Sequence, residues 1–140
     1  MARKYNNSKV VVDGITFDSR REAKRYRELS LLLRAGEIRN LELQKRFELV
    51  PAQFVSYERY GKRGQRLKDG QRCVELGVTY VADFAYEKRF YVGQGGTHDP
   101  IGMREVWRPV VEDTKGVRTE AYIIKRKLMR HVHGICIVEI

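Results

Sequence analysis

The sequence predicts an α/β (α+β) domain in which a central mixed β-sheet is flanked by helices. Three observations carry that expectation. Two stretches with helical spacing, Ser19 to about Ala35 and Thr119 to about His133, stand far apart in the chain. Several runs of alternating or continuous apolar residues lie between them. The longest of these, Val74 to Tyr86, is apolar on both faces, as a central strand covered from both sides must be. A length of 140 residues, spanning 1–140, suits one domain with one core.

Residues 1–8 are basic and polar, without the apolar stretch of a signal peptide, and read as a flexible arm. Lys9 to Phe17 reads as a hairpin, because Asp13-Gly14 between β-branched runs is a strong two-residue turn signal. Asp18-Ser19 opens the first helix and Gly36 stops it, with Ala23, Tyr26, Leu29 and Leu33 as its buried stripe. Arg20, Arg21, Lys24, Arg25 and Arg27 crowd its other faces.

Ile38 to Val50 alternates as a strand, and Phe54 to Tyr60 reads as another. Gly61 to Gly70 is glycine-rich and basic and reads as a loop. In Val74–Tyr86, strict alternation puts Val78, Tyr80, Ala82, Phe84 and Tyr86 on one face, and Thr79, Val81, Asp83 and Ala85 on the other. Phe90 to Met103 reads as a long connection, Val106 to Lys115 as a strand, and Ile135 to Ile140 as a final buried strand after the Gly134 stop.

Lys plus Arg number 28 against 18 Asp plus Glu, a net charge of +10. That balance suits a polyanionic partner, most simply nucleic acid. No apolar run approaches the roughly 20 residues needed to span a bilayer, so no membrane partner is expected. Two cysteines, Cys73 and Cys136, are too few for a disulfide framework and suit a cytoplasmic setting. His131, His133, Cys136, His98 and Cys73 fit no common zinc spacing.

The chemistry concentrates in Val110-Val-Glu-Asp-Thr-Lys-Gly116. Along a strand, Val111, Asp113 and Lys115 share one face, and Val110, Glu112 and Thr114 the other. A carboxylate and an ammonium two residues apart on one face can hold a metal ion and a water side by side. Asp83 adds a second carboxylate inside Tyr80-Val-Ala-Asp-Phe-Ala-Tyr86, where a lone buried charge is expensive. Either it pairs with an arginine, or it meets Asp113 across neighbouring strands around a divalent cation; hard oxygen ligands suit Mg²⁺ or Mn²⁺. Glu22 is open between two roles: Ser19-x-x-Glu22 is a well-formed capping box, and the same side chain is a candidate ligand. Tyr57 and Tyr60, in the basic segment, are core or interface residues or stack on bases.

Asp83, then Asp113-Thr-Lys115 at a strand end, then a helix beginning near Thr119, resembles the PD-(D/E)XK nuclease superfamily. Phe17-Asp-Ser-x-x-Glu-Ala, Leu41-Glu-Leu-Gln44, Tyr80-Val-Ala-Asp-Phe and Val111-Glu-Asp-Thr-Lys-Gly are similar to a phage-borne branch regarded as Holliday-junction-resolving endonucleases. The likeness runs from about Phe17 to Leu128 and leaves 56–73 and 88–105 as insertions. It implies a restriction-endonuclease-like core and a metal held by Asp83, Asp113, the Thr114 carbonyl and Glu22. Lys115 would orient the attacking water. The motif begins Ala82-Asp83 where the superfamily often has proline. Arg20, Arg21, Lys24, Arg63, Arg66, Lys68 and Lys125 are the candidate DNA contacts, directed to phosphates and not to bases. The expectation is a Mg²⁺-dependent, structure-selective endonuclease on branched DNA, working as a homodimer. The alternatives are a non-catalytic basic DNA-binding protein and a nicking or end-processing nuclease on another substrate.

Overall fold

The computed structural model describes residues 8–93 and 102–140. The predicted hairpin forms from β1 (Val10–Val12) and β2 (Ile15–Phe17), and Asp13 and Gly14 both take positive φ as its two-residue turn requires. Helix α1 (Arg20–Arg34) follows; Ser19 caps it by accepting the Glu22 N–H at 3.1 Å. Ala23 and Leu29 are buried, Tyr26 is half-buried, and Leu33 is exposed. Leu32 supplies the contact expected of Leu33, so the stripe bends by one position at its C-terminal end.

The body is a four-stranded mixed sheet in the order β3–β6–β7–β8, comprising β3 (Ile38–Val50), β6 (Val78–Gly93), β7 (Met103–Asp113) and β8 (Val138–Glu139). β3, β6 and β7 run antiparallel to their neighbours, and β8 joins β7 in parallel after crossing through α2 (Glu120–His133). Thr119 caps α2, and Gly134 ends it at φ 67°. Sheet and helices thus give the mixed α+β architecture the sequence predicts.

Three expectations change. Gly61 to Gly70 is not a loop: β4 (Gln53–Tyr60) and β5 (Arg66–Glu75) pair into a separate two-stranded ribbon around a short turn. The strands β6 and β7 stay paired from Phe84–Glu112 out to Gly93–Met103, so much of the 88–105 insertion is ladder. β8 is only two residues long and none of Ile135 to Ile140 is buried, because the strand lies at the sheet edge.

The strict alternation expected along β6 also fails. Tyr80 and Ala82 pack with Leu49, Val111 and the α2 residues Tyr122 and Met129. Phe84 and Tyr86 pack with Ile38 and the α1 residues Ala23 and Leu29, while Ala85 stays with the α2 group. β3 does the same: Leu41 and Leu43 join the α1 group, Phe47 and Leu49 the α2 group. Both strands exchange faces at one level, where Gln44 adopts φ 52° between the pairs Leu43–Phe84 and Lys45–Ala82. Asp83 sits at that level.

Candidate metal centre

Three elements converge on Asp83. β6 presents its carboxylate at the face exchange, β7 ends at Asp113, and α1 carries Glu22 in its first turn. Asp83 Oδ2 accepts from the Thr114 N–H at 2.8 Å and the Thr114 hydroxyl at 2.7 Å, and Asp83 Oδ1 accepts from Gln44 Nε2 at 3.3 Å. Asp113 is 2% exposed; its Oδ2 accepts from the Tyr80 hydroxyl at 2.7 Å and its Oδ1 lies 3.2 Å from Lys115 Nζ. Each carboxylate therefore has one oxygen held tightly and one held loosely. An ionised carboxylate offers about four acceptor positions, so the loose oxygens retain capacity for a cation.

Charge makes the same point. Burial raises the pKa of Asp113, and the neighbouring Asp83 charge raises it further, against Tyr80 and Lys115. Burial likewise raises the pKa of Glu22, with Asp83 adding to it and Ser19 opposing. The Asp83 charge thus bears on both Asp113 and Glu22. Two hollows flank them: one of about 200 Å³ bounded by Phe17, Glu22, Gln44 and Asp83, and one of about 530 Å³ bounded by Arg21, Glu22, Thr114, Lys115 and Gly116.

Glu22 serves the helix cap in an altered form. The Ser19 hydroxyl accepts from the Glu22 N–H and donates to Glu22 Oε1 at 3.1 Å. Glu22 still lines the same hollow as Asp83, so capping does not forbid ligation. Among the described residues no three His, Cys, Asp or Glu side chains stand close enough to hold an ion as a set. The preassembled part is the Asp83–Asp113 pair. Their oxygens are hard donors of the kind Mg²⁺ and Mn²⁺ take, and the chemistry of the donor set fits such an ion.

Lys115 lies over the Tyr122 ring, 4.5 Å from its centre, with its carbonyl accepting from Arg21 Nη1 at 2.9 Å. Lys24, Arg25 and Arg118 join Arg21 and Lys115 around a third hollow of about 480 Å³. Arg20 is exposed beside them on α1, and Lys125 is half-buried on α2 between Tyr122 and Met129. Arg63, Arg66 and Lys68 lie on the β4–β5 ribbon or its turn, apart from this cluster in the fold.

Sequence reasoning passed over Glu112. It is 2% exposed, accepts two bonds from Arg25 at 2.8 and 2.6 Å, and accepts the Tyr86 hydroxyl as well. Glu112 holds the Arg25 guanidinium well above its ordinary pKa. Arg25 had the look of one more solvated charge in a basic run. Its spacing of three from Glu22 on α1, matched with Glu112 beside Asp113, was the signal available. His133 Nε2 lies 2.6 Å from the Glu48 carbonyl, and Cys73 and Cys136 are exposed. His98 lies outside the described residues.

No described helix is long and apolar enough to cross a membrane. The family model described as "Protein of unknown function (DUF1064)" matches residues 2–134, so the chain belongs to that family. No curated protein and no solved structure matches the chain.

Proposed function

We propose that this DUF1064 protein is a divalent-metal-dependent endodeoxyribonuclease of the PD-(D/E)XK kind. It hydrolyses phosphodiesters in branched DNA such as four-way junctions and acts as a homodimer. One observation carries the reading: Asp83 is bonded to the N–H of Thr114, the residue after Asp113, Lys115 contacts Asp113, and no arginine among the described residues pairs with either carboxylate.

Tyr80 and Thr114 fix the two carboxylates by one oxygen each and leave the other to the longer contacts with Lys115 and Gln44. Mg²⁺ or Mn²⁺ held there by Asp83 and Asp113, with Glu22 and the Thr114 carbonyl as further oxygens, would stabilise charge developing on the phosphate and lower the pKa of water. Lys115 places an ammonium beside Asp113, where its N–H groups can hold the attacking water in line. Arg21 anchors the Lys115 backbone and, with Lys24, offers positive charge to the DNA backbone at the edge of a hollow that Glu28 and the Arg118–Glu139 pair also line. Junction resolution needs paired cuts, which two copies of one site supply.

A non-catalytic DNA-binding protein calls for both aspartates to be neutralised by arginines and kept apart. The carboxylate held that way is Glu112. A nicking or end-processing nuclease would use the same centre on another substrate. The deciding experiment presents a labelled four-way junction, a matched linear duplex and a nicked duplex to the purified protein in Mg²⁺, Mn²⁺ and EDTA. Paired cuts in the junction with either metal, slower cutting of the linear duplex and none in EDTA are expected. Cutting unaffected by EDTA would overturn the metal assignment, and equal cutting of all three DNAs the junction assignment.

A further inference from the structure

The β4–β5 ribbon has two unlike faces. The register sets Phe54 opposite Cys73 and Ser56 opposite Gln71 on one, and Tyr60 opposite Arg66 brings that face to the turn. Its polar groups satisfy one another: Arg66 pairs with Asp69 at 2.6 Å and Glu58 at 3.8 Å, Tyr60 donates to Glu58, and Gln71 donates to Ser56. The other face carries Val55 opposite Arg72, Tyr57 opposite Gly70, and Arg59 opposite Leu67. Its one acid is Glu75, opposite Gln53 at the end far from the turn, and Arg59 and Arg72 have no acidic partner among the described residues. The Tyr57 ring lies flat across Gly70: a Cβ there would stand 2.3 Å from the ring. The ring is 49% exposed nonetheless.

An isolated two-stranded hairpin is at best marginally stable in water, and this one leaves nearly all its side chains in solvent. We infer that the ribbon is a DNA-binding arm whose Tyr57 face lies against duplex DNA, with Arg59 and Arg72 on phosphates and the tyrosine ring between them. Lys62 and Arg63 extend the charge around the turn. A ribbon of about 25 Å, at roughly 3.3 Å per residue, spans several phosphates, and a two-stranded ribbon fits a major groove about 12 Å wide. This assigns the contacts to Arg59 and Arg72, in place of the Arg66 expected from sequence, whose guanidinium is engaged by acids on its own face. The inference rests on the nucleic-acid part of the function proposed above and not on its hydrolytic part.

The test is a fluorescence-anisotropy titration of labelled duplex and four-way junction in Ca²⁺ across a salt series, with sedimentation velocity on every variant. Arg59→Gln/Arg72→Gln is expected to weaken binding about tenfold and to lower the slope of log K against log salt by about two. Tyr57→Ala should weaken binding with the slope unchanged, and Arg66→Gln should leave both near wild type. The inference is overturned if the double variant binds with wild-type affinity and slope. It is also overturned if the double variant's loss coincides with dissociation of a wild-type dimer, which would make the face a self-association surface. A protein that binds through the ribbon and never cuts DNA keeps this inference and loses the nuclease. One that cuts in Mg²⁺ while the double variant binds normally does the reverse.

Discussion

Glu112 and Asp113 are consecutive residues at the end of one strand, each 2% exposed, and they solve the problem of a buried carboxylate in opposite ways. Glu112 points toward α1 and meets a bidentate guanidinium and a phenol. Its charge is cancelled where it sits. Asp113 points the other way and meets a phenol, one ammonium and a second carboxylate. Negative charge accumulates there. A buried carboxylate answered by arginine holds elements together; one crowded by another acid calls for a cation or a proton from outside.

The largest difference between the two sides should appear in chemistry. Asp113→Asn is expected to lower Mg²⁺-dependent cleavage by about a thousandfold or more, since it removes a metal ligand and several kcal/mol of barrier lowering. Junction binding should stay within a few-fold and the urea midpoint at or above wild type, because a like-charge contact has gone. Full metal-dependent cleavage by this variant would erase the functional half of the contrast.

The next difference is in stability. Arg25→Met leaves Glu112 buried without its cation, and unfolding free energy should fall by about 3–5 kcal/mol. The triple change Arg25→Met, Tyr86→Phe and Glu112→Leu removes donors and acceptor together and should recover most of that loss in the same urea titration. A negligible effect of the single change would mean that the pair does not clamp α1 to the sheet.

The smallest effect concerns a half-buried counterpart of the Glu112 pair. Glu139 is shared by Arg118, Arg126 and the Tyr122 hydroxyl, and the guanidinium bonds pull its pKa down to about 2. A depressed folded-state pKa gives stability that is complete above the ordinary glutamate range and is lost as pH falls toward about 2. Glu139→Gln should lower neutral-pH stability slightly and flatten that part of the acid limb in a thermal melt, the two proteins converging as pH falls toward about 2. A wild-type acid limb in the variant would remove Glu139 from the account.

The contact of Lys115 with Asp113 was expected from strand alternation, but β7 ends at Asp113 and Lys115 reaches it from beyond the strand. Asp83 stood out by its place in an apolar run. What escaped was set by partners distant in sequence. Arg25 is one of five basic residues within eight positions of α1, and only the fold shows which one turns inward. The ribbon was misread because glycine and charge signal a loop, whereas backbone pairing across 53–75 needs neither an apolar face nor a long apolar run. Leu33 gave way to Leu32 where the helix ends and its stripe drifts.

The face exchange had no signature at all, because glutamine rarely takes a left-handed φ, and that rarity bears on Asp83. Gln44 is flanked by ladder pairs on both sides, so it cannot return to a relaxed dihedral without unzipping one stretch of β3 from β6. Its amide is consequently aimed at Asp83 by the main chain and not by a side-chain preference. The stiffness of the β3–β6 ladder is in this way delivered to a single carboxylate oxygen.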